Sequence, residues 1–340
     1  MPPKVNIDEY NDVWIFIEQI ERQPARVSLE LLHKGRELAD KLDVSLVAFA
    51  IGESLGNLAE ELIYYGADRV IIADDPVAKN YRTEVYTDII VRQATEEKPQ
   101  IIIIGATPVG RDLAPRVARR LNTGCTADCT GLDIDEDTKL LISTVPAFGG
   151  NIMATIICPD HRPQIATVRP GVMLMPGKDV TRKGEITNIK VKIKEEEVKV
   201  KIIESIKSKG SGVKLEEAEK IVVAGMGAGD QDTIKCLKEL AMLIGGELGV
   251  TMPVVEAGFL SHDHIIGQTG KTIRPKLYIG CGVSGAVQHT AGMSESELIV
   301  AINNDPNADI FKMADYGIIG NAGEIIPAII KRIKKENATP

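Results

Sequence analysis

Apolar residues follow two alternating rhythms along the first third of this chain. Segments 13–18 (VWIFIE), 44–52 (VSLVAFAIG), 69–73 and 101–106 (IIIIGA) are short apolar runs bounded by turn residues, as buried strands are. Between them, 25–42, 57–65 and 81–96 repeat apolar positions at helical spacing. Strand and helix in turn predict an α/β domain, a parallel sheet with helices on both faces. After Thr130 shorter strands with glycine turns continue to about Val172. A second α/β rhythm starts at KIVVAG (220–225). It continues with a helix over 230–244, strands at 276–280, 298–302 and 316–319, and a closing helix over 323–334.

The stretch between the two rhythms is charged. IKVKIKEEEVKVKII (189–203) alternates apolar and lysine positions around Glu195, Glu196 and Glu197. Period-two alternation predicts strands with one wet face, either two edge strands or one long bent one. A solvated face that discourages edge pairing is favoured over a docking surface for an acidic partner. The small, polar SKGSGV at 208–213 reads as a linker. With 340 residues, two domains are expected: 1–207, then the linker, then 214–334, with a frayed tail at 335–340.

Composition narrows the function. A net charge of -8 argues against a nucleic-acid partner. No segment reaches the roughly 20 apolar residues of a membrane span. MPPKVNIDEYND has neither a signal-peptide core nor a transit-peptide pattern. The five cysteines form no C-x-x-C pair, as expected for reduced thiols in the cytoplasm, and no metal site is expected. No Ser/His/Asp or paired-carboxylate arrangement stands out, so no catalytic residue is assigned.

Candidate chemistry concentrates in GQTGKTIRPKLYIGCGVSGAVQHTAGM (267–293). A glycine loop, a short apolar strand, a second glycine turn and a helix start follow one another. Ser284 occupies the expected helix N-cap, with Gly285 and Ala286 in the first turn. Free backbone N–H groups at such a turn can hold a pyrophosphate. Gln268, Thr269, Gln288 and His289 add groups able to read a ring system. Upstream, GMGAG (225–229) is a partial dinucleotide fingerprint or simply a tight strand-to-helix turn.

The same run resembles the FAD-binding segment of the α subunit of electron transfer flavoproteins (the FixB family). That pattern reads G-Q-T-G-K, then L-Y-I, then G-[IV]-S-G-A-[IV]-Q-H-x-A-G-M. The resemblance continues through VAINNDPNADIFKMADYGI (300–318). In the first half it covers GATPVGRDLAPRVARRL (105–121), TGCTADCT (123–130) and AFGGNIMATIICPDHRPQIATVRPG (147–171). It implies a nucleotide-hydrolase-like (flavodoxin-like) layered first domain that contacts a β subunit, and a Rossmann-like FAD-binding second domain. The implied FAD contacts are Thr251, Met252, Ile266, Gly267, Gln268, Thr269, Gly270, Ser284, Gly285, Ala286, Val287, Gln288, His289, Asn303, Asn321 and Ala322. Thr269 is implied to face flavin N5, and His289 the C2 carbonyl. Residues 284–288 are implied to cradle the ribityl and phosphates, and Asn303, Asn321 and Ala322 to sit at the adenosine end.

It further implies electron shuttling from a flavin dehydrogenase, of acyl-CoA dehydrogenase type, to another redox partner. The β subunit would carry AMP or, in electron-bifurcating relatives, a second FAD. The linker would let the FAD domain swing. The ferredoxin-like extension of some relatives is not seen, so no iron–sulfur cluster is expected. Two departures stand out. The family's S-G-G-R-G is AGMGAGD here, one residue short, with the arginine position near Gly227. Its S-R-x-x-V-D is TMPVVE, with Met252 in place of arginine. That arginine would stabilise an anionic reduced flavin by Coulomb attraction, so a lower potential is expected, unless Lys271, Arg274 or the partner subunit supplies the charge. Arg111, Arg116, Arg119 and Arg120 fall on a predicted helix, where a structural or partner-contact role is favoured. The competing readings are a stand-alone NAD(P)-binding oxidoreductase using 225–229 and a non-redox nucleotide-binding protein.

Overall fold

Two opposite apolar faces on one strand govern the first half of the molecule. In β1 (Asn11–Ile17), Val13, Ile15 and Ile17 enter one core while Trp14 and Phe16 enter another. A strand apolar on both faces must be covered on both. A computed structural model describes residues 6–20, 22–147, 152–175, 177–204 and 215–337. In it α1 (Arg26–Leu42) and α2 (Leu58–Tyr64) cover one face, and α3 (Thr83–Glu97) and α4 (Pro108–Arg120) the other. The sheet is completed by β2 (Leu46–Gly52), β3 (Arg69–Asp74), β4 (Pro99–Gly105) and β5 (Cys125–Cys129). A three-stranded antiparallel excursion follows, made of β6 (Gly131–Ile134), β7 (Leu141–Ala147) and β8 (Ile152–Ile156). The chain then returns as β9 (Gln164–Val168) and β10 (Glu185–Asn188). The seven-stranded sheet has the order β10-β3-β2-β1-β4-β9-β5, parallel throughout.

The charged stretch corrects one expectation. Only β10 pairs, and residues 189–203 form no strand. Ile189, Val191 and Ile193 lie half-buried against the core that contains Trp14, and Val198 is buried. Between them, Glu195–Glu197 makes a tight turn in which both Arg82 guanidinium nitrogens reach the Glu195 carboxylate at 2.7 Å. Val200, Ile202 and Ile203 remain exposed. Alternation reports one dry face, and packing onto a finished sheet supplies that without a neighbouring strand.

The chain divides into two compact units, Met1–Glu204 and Ser205–Pro340, and the linker expected at 208–213 lies outside the described residues. The second unit comprises β11 (Lys220–Ala224), α5 (Gln231–Leu243), β12 (Glu247–Val250), α6 (Met252–Glu256), β13 (Leu277–Cys281), α7 (Val287–Thr290), β14 (Ile299–Asn303), β15 (Tyr316–Ile319) and α8 (Ala322–Asn337). Its sheet runs β12-β11-β13-β14-β15, all parallel. Helices α5 and α8 cover one face through Leu237, Leu240, Ile326 and Ile330. The opposite core draws on loop residues, Leu215, Ile266, Ile273, Val283, Met293 and Ile310. Strand β12 was not anticipated, being four residues with a glycine. Helix α8 runs to Asn337, so Lys335–Asn337 are helical rather than frayed; 338–340 lie outside the described residues. Among the described residues no helix is long and apolar enough to cross a membrane.

Candidate functional site

Strands β11 and β13 are neighbours, and the sheet grows outward from them in opposite directions. Crevices beyond the carboxyl ends of strands at such a switch point are where open α/β sheets bind ligands. Each strand ends there in a glycine turn, and the two turns touch. Gly225 N–H donates to the Cys281 carbonyl at 2.8 Å and Gly227 N–H to the Gly282 carbonyl at 3.0 Å. Gly282 has φ +63, and a Cβ on it would lie 2.3 Å from the Ala228 amide nitrogen. Only glycine lets the turns meet this closely.

The first turn is closed on itself. Ala228 N–H donates to Gly225 and Gly229 N–H to Met226, each at 3.0 Å. Behind it Asp230 caps α5, its carboxylate accepting from the N–H groups of Asp232 and Thr233. Hydrogen bonds from Thr233, side chain first and backbone next, hold Asp230 below the usual carboxylate range. A helix start that already carries a carboxylate disfavours a pyrophosphate. Residues 225–229 thus have the geometry of a strand-to-helix turn.

The second turn is open. The backbone N–H groups of residues 284–288 find no acceptor among the described residues. Ser284, Ala286, Val287 and Gln288 are exposed. The helix begins later than the sequence suggested: Ala286, not Ser284, is the N-cap of α7, without a side-chain cap bond. Gly285 is the reason, because its φ of +90 lies outside any right-handed helix. A Cβ there would lie 2.2 Å from the Ile310 amide nitrogen, which donates to the Ser284 carbonyl at 3.1 Å. The result is a row of amides without an acceptor among the described residues, and it fits a phosphate group.

The 267–270 loop is stitched to this turn. Gln268 N–H donates to the Gln288 carbonyl at 2.7 Å, and Ile273 N–H to the Gly292 carbonyl at 2.8 Å. Ile266 and Gly267 are buried, while Gln268, Thr269 and Gly270 face solvent beside the open amides. His289 is 6 % exposed, and both ring nitrogens are occupied, Nε2 by the Tyr278 hydroxyl at 2.8 Å and Nδ1 by the Ile266 carbonyl at 2.9 Å. Burial pushes its pKa down. Contact with a flavin carbonyl would require one of these bonds to be exchanged.

The remaining candidates also sit past the carboxyl ends of parallel strands. Thr251, buried, follows β12, and its N–H donates to the Ala224 carbonyl at 3.1 Å. Met252 is half-buried against the α5–α8 core. Asn303 ends β14 with its amide already used: Nδ2 donates to the Val283 carbonyl at 2.8 Å and Oδ1 accepts from Asp305 N–H at 3.0 Å. Asn321 follows β15 and accepts from Gly323 N–H at 2.8 Å, and Ala322 is buried. Asn303 and Asn321 therefore shape loops, and their side chains are less free than the pattern implied. Lys271 lies 3.8 Å from the Glu216 carboxylate, which competes for its charge. The sequence reading passed over Tyr278; its one signal was a hydroxyl in the middle of an otherwise apolar strand.

The first unit has its own switch point, between β1 and β4. There the Glu18 carboxylate accepts from the hydroxyl of Thr107, the N-cap of α4, whose Oγ accepts from Gly110 N–H at 3.0 Å. Burial raises the Glu18 pKa. An acid already stands where an anion would bind. On α4, Arg111 pairs with Asp128 at 3.1 Å and Arg116, Arg119 and Arg120 are exposed. Asp112 accepts from the hydroxyls of Tyr81, at 2.7 Å, and Thr83. Burial pushes the Cys125 and Cys129 thiols up to about 11 and Cys281 to about 12.

Comparison with known proteins bears directly on this geometry. The pattern described as "Electron transfer flavoprotein domain" matches residues 13–194, and "Electron transfer flavoprotein FAD-binding domain" matches 214–294. The chain is 52% identical over 329 residues to an electron transfer flavoprotein subunit alpha of Thermoanaerobacterium thermosaccharolyticum, covering 97% of this chain and 99% of that one. It is 46% identical to Protein FixB of Clostridium saccharobutylicum, covering 97% and 98%. It is 42% identical to an acryloyl-CoA reductase electron transfer subunit beta of Anaerotignum propionicum, covering 97% of each chain.

Proposed function

Because the chain belongs to the electron transfer flavoprotein α-subunit family, we propose that it carries one FAD on the open turn after β13. The row of free amides at 284–288 is the observation that carries this reading. Residues 284–288 bind the phosphates and ribityl, and Thr251 and Met252 lie toward the flavin ring. Thr269 and Gln268 address the ring system, and Ile266, Gly267 and Gly270 shape its seat. His289 backs that seat, while Asn303, Asn321 and Ala322 form the adenosine end. When bound, FAD supplies the electron-carrying chemistry, and the protein supplies binding, orientation and electrostatics.

A β subunit completes the pocket and contacts the first domain in this reading. It carries AMP or a second FAD. A redox partner of acyl-CoA dehydrogenase type is supported by the acryloyl-CoA reductase subunit among the relatives. The capped α5 and the satisfied amides of Gly225, Gly227, Ala228 and Gly229 weigh against a stand-alone NAD(P) enzyme.

The test is the visible spectrum of the heterodimer purified after co-expression of this chain with its β subunit. Flavin bands with a flavin-to-heterodimer ratio of one support transfer with AMP on the partner, and a ratio of two supports bifurcation. A colourless preparation that takes up no added FAD overturns the reading.

A further inference from the structure

Tyr278 is fully buried on a central strand, its side chain in the core with Ile221, Val223, Ile266 and Ile299. A phenol hydroxyl in such surroundings is costly unless it is hydrogen-bonded, and among the described residues its partner is His289 Nε2 at 2.8 Å. The other ring nitrogen, Nδ1, lies 2.9 Å from the Ile266 carbonyl. A carbonyl can only accept, so Nδ1 carries the proton. Nε2 then offers its lone pair and the tyrosine donates to it. The alternative, an imidazolium donating from both nitrogens, would bury a cation, and among the described residues no carboxylate pairs with His289. Cys281 lies in the core on the opposite face of the same strand, and burial pushes its thiol up to about 12.

The chain of bonds joins three segments. Tyr278 belongs to β13, His289 to α7, and Ile266 leads directly into the 267–270 loop. We propose that Tyr278 is a positioning residue that fixes His289 as the neutral Nδ1–H tautomer and, through Ile266, locks the 267–270 loop to the open turn at 284–288. Both sides of the proposed flavin seat then move as one body. The proposal rests on the flavin reading only for its consequence in binding; the tautomer itself is a property of the protein without flavin.

The experiment uses the complete heterodimer, stripped of flavin, with histidine ring nitrogens labelled by ¹⁵N and His289 assigned through His289→Gln. In the native protein, the expected spectrum has the proton on Nδ1 and an accepting Nε2, with titration displaced below the ordinary histidine range. In Tyr278→Phe, which keeps the ring and removes the donor to Nε2, His289 titrates at higher pH than in the native protein. The affinity for added FAD falls roughly fivefold, as for loss of one neutral hydrogen bond. A native His289 that carries its proton on Nε2 or titrates near its ordinary value overturns the proposal, as does a Tyr278→Phe spectrum unchanged from the native one. Where Tyr278→Phe does not fold, the native spectrum decides alone. If the tautomer is as expected but neither protein binds FAD, the Tyr278 assignment stands and the flavin reading falls.

Discussion

The glycine turns after β11 and β13 are adjacent, touch through their backbones and are built from similar residues, yet only one is open to a ligand. In the 225–229 turn, Gly225, Gly227, Ala228 and Gly229 donate to carbonyls, and Asp230 neutralises the helix start behind it. In the turn after β13, Gly285 breaks the helical path and leaves the amides of 284–288 without an acceptor among the described residues, with uncharged Ala286 at the cap. Glycine content therefore marks neither site. What separates them is whether a carboxylate already caps the helix and whether the amides have internal acceptors.

The contrast breaks most sharply if the open turn is given the closed turn's acid. Ala286→Asp should cap α7 from within and repel the FAD phosphates, weakening FAD binding by at least about 100-fold, since like-charge juxtaposition costs several kcal/mol. Equilibrium titration of the flavin-stripped heterodimer measures it, and unchanged affinity would remove the phosphates from residues 284–288. Next in size, Met252→Arg restores the cation that the family pattern carries. It should favour the reduced flavin about tenfold, roughly 60 mV for one electron, in a potentiometric titration. A potential that does not move would mean Met252 is remote from the ring.

A pH dependence follows from His289. Its folded pKa lies below the ordinary 6.5 because of burial, so the unfolded chain takes up a proton first as pH falls. Its contribution to stability is complete above about pH 6.5 and is lost below it, at no more than about 1.4 kcal/mol per pH unit. Urea unfolding across that window should show the slope, and His289→Gln should flatten it. Smallest is the converse substitution, Asp230→Ala, which opens the closed turn. It should cost about 1 kcal/mol of stability as a lost cap while FAD affinity stays within about twofold. A large loss of FAD affinity would instead make the first turn part of the site.

Much of this was legible beforehand, for physical reasons. Runs such as IIIIGA and KIVVAG became β4 and β11 because an apolar strand buried on both faces needs cover above and below it, supplied by helices around β4 and by helices and loops around β11. Segment 267–293 stood out because glycines, a strand and a helix start lay within chain-local reach. The 189–203 alternation misled, since periodicity reports a dry face but not what covers it. The later start of α7 escaped notice because Ser284 has the right side chain for a cap, whereas the backbone of Gly285 decides where the helix begins. His289 was singled out for its neighbours in sequence, and its two hydrogen-bond partners come from residues 278 and 266.

By itself the sequence determined the α/β class, the family and the segment that carries the candidate site, because strand and helix periods and local motifs are written in consecutive residues. Only the tertiary structure decided which glycine turn is open, which histidine nitrogen bears the proton and which side chains are already engaged. Those outcomes depend on donors and acceptors brought together across β11, β13, α7 and the 267–270 loop, and such pairings have no signature in any one stretch of chain.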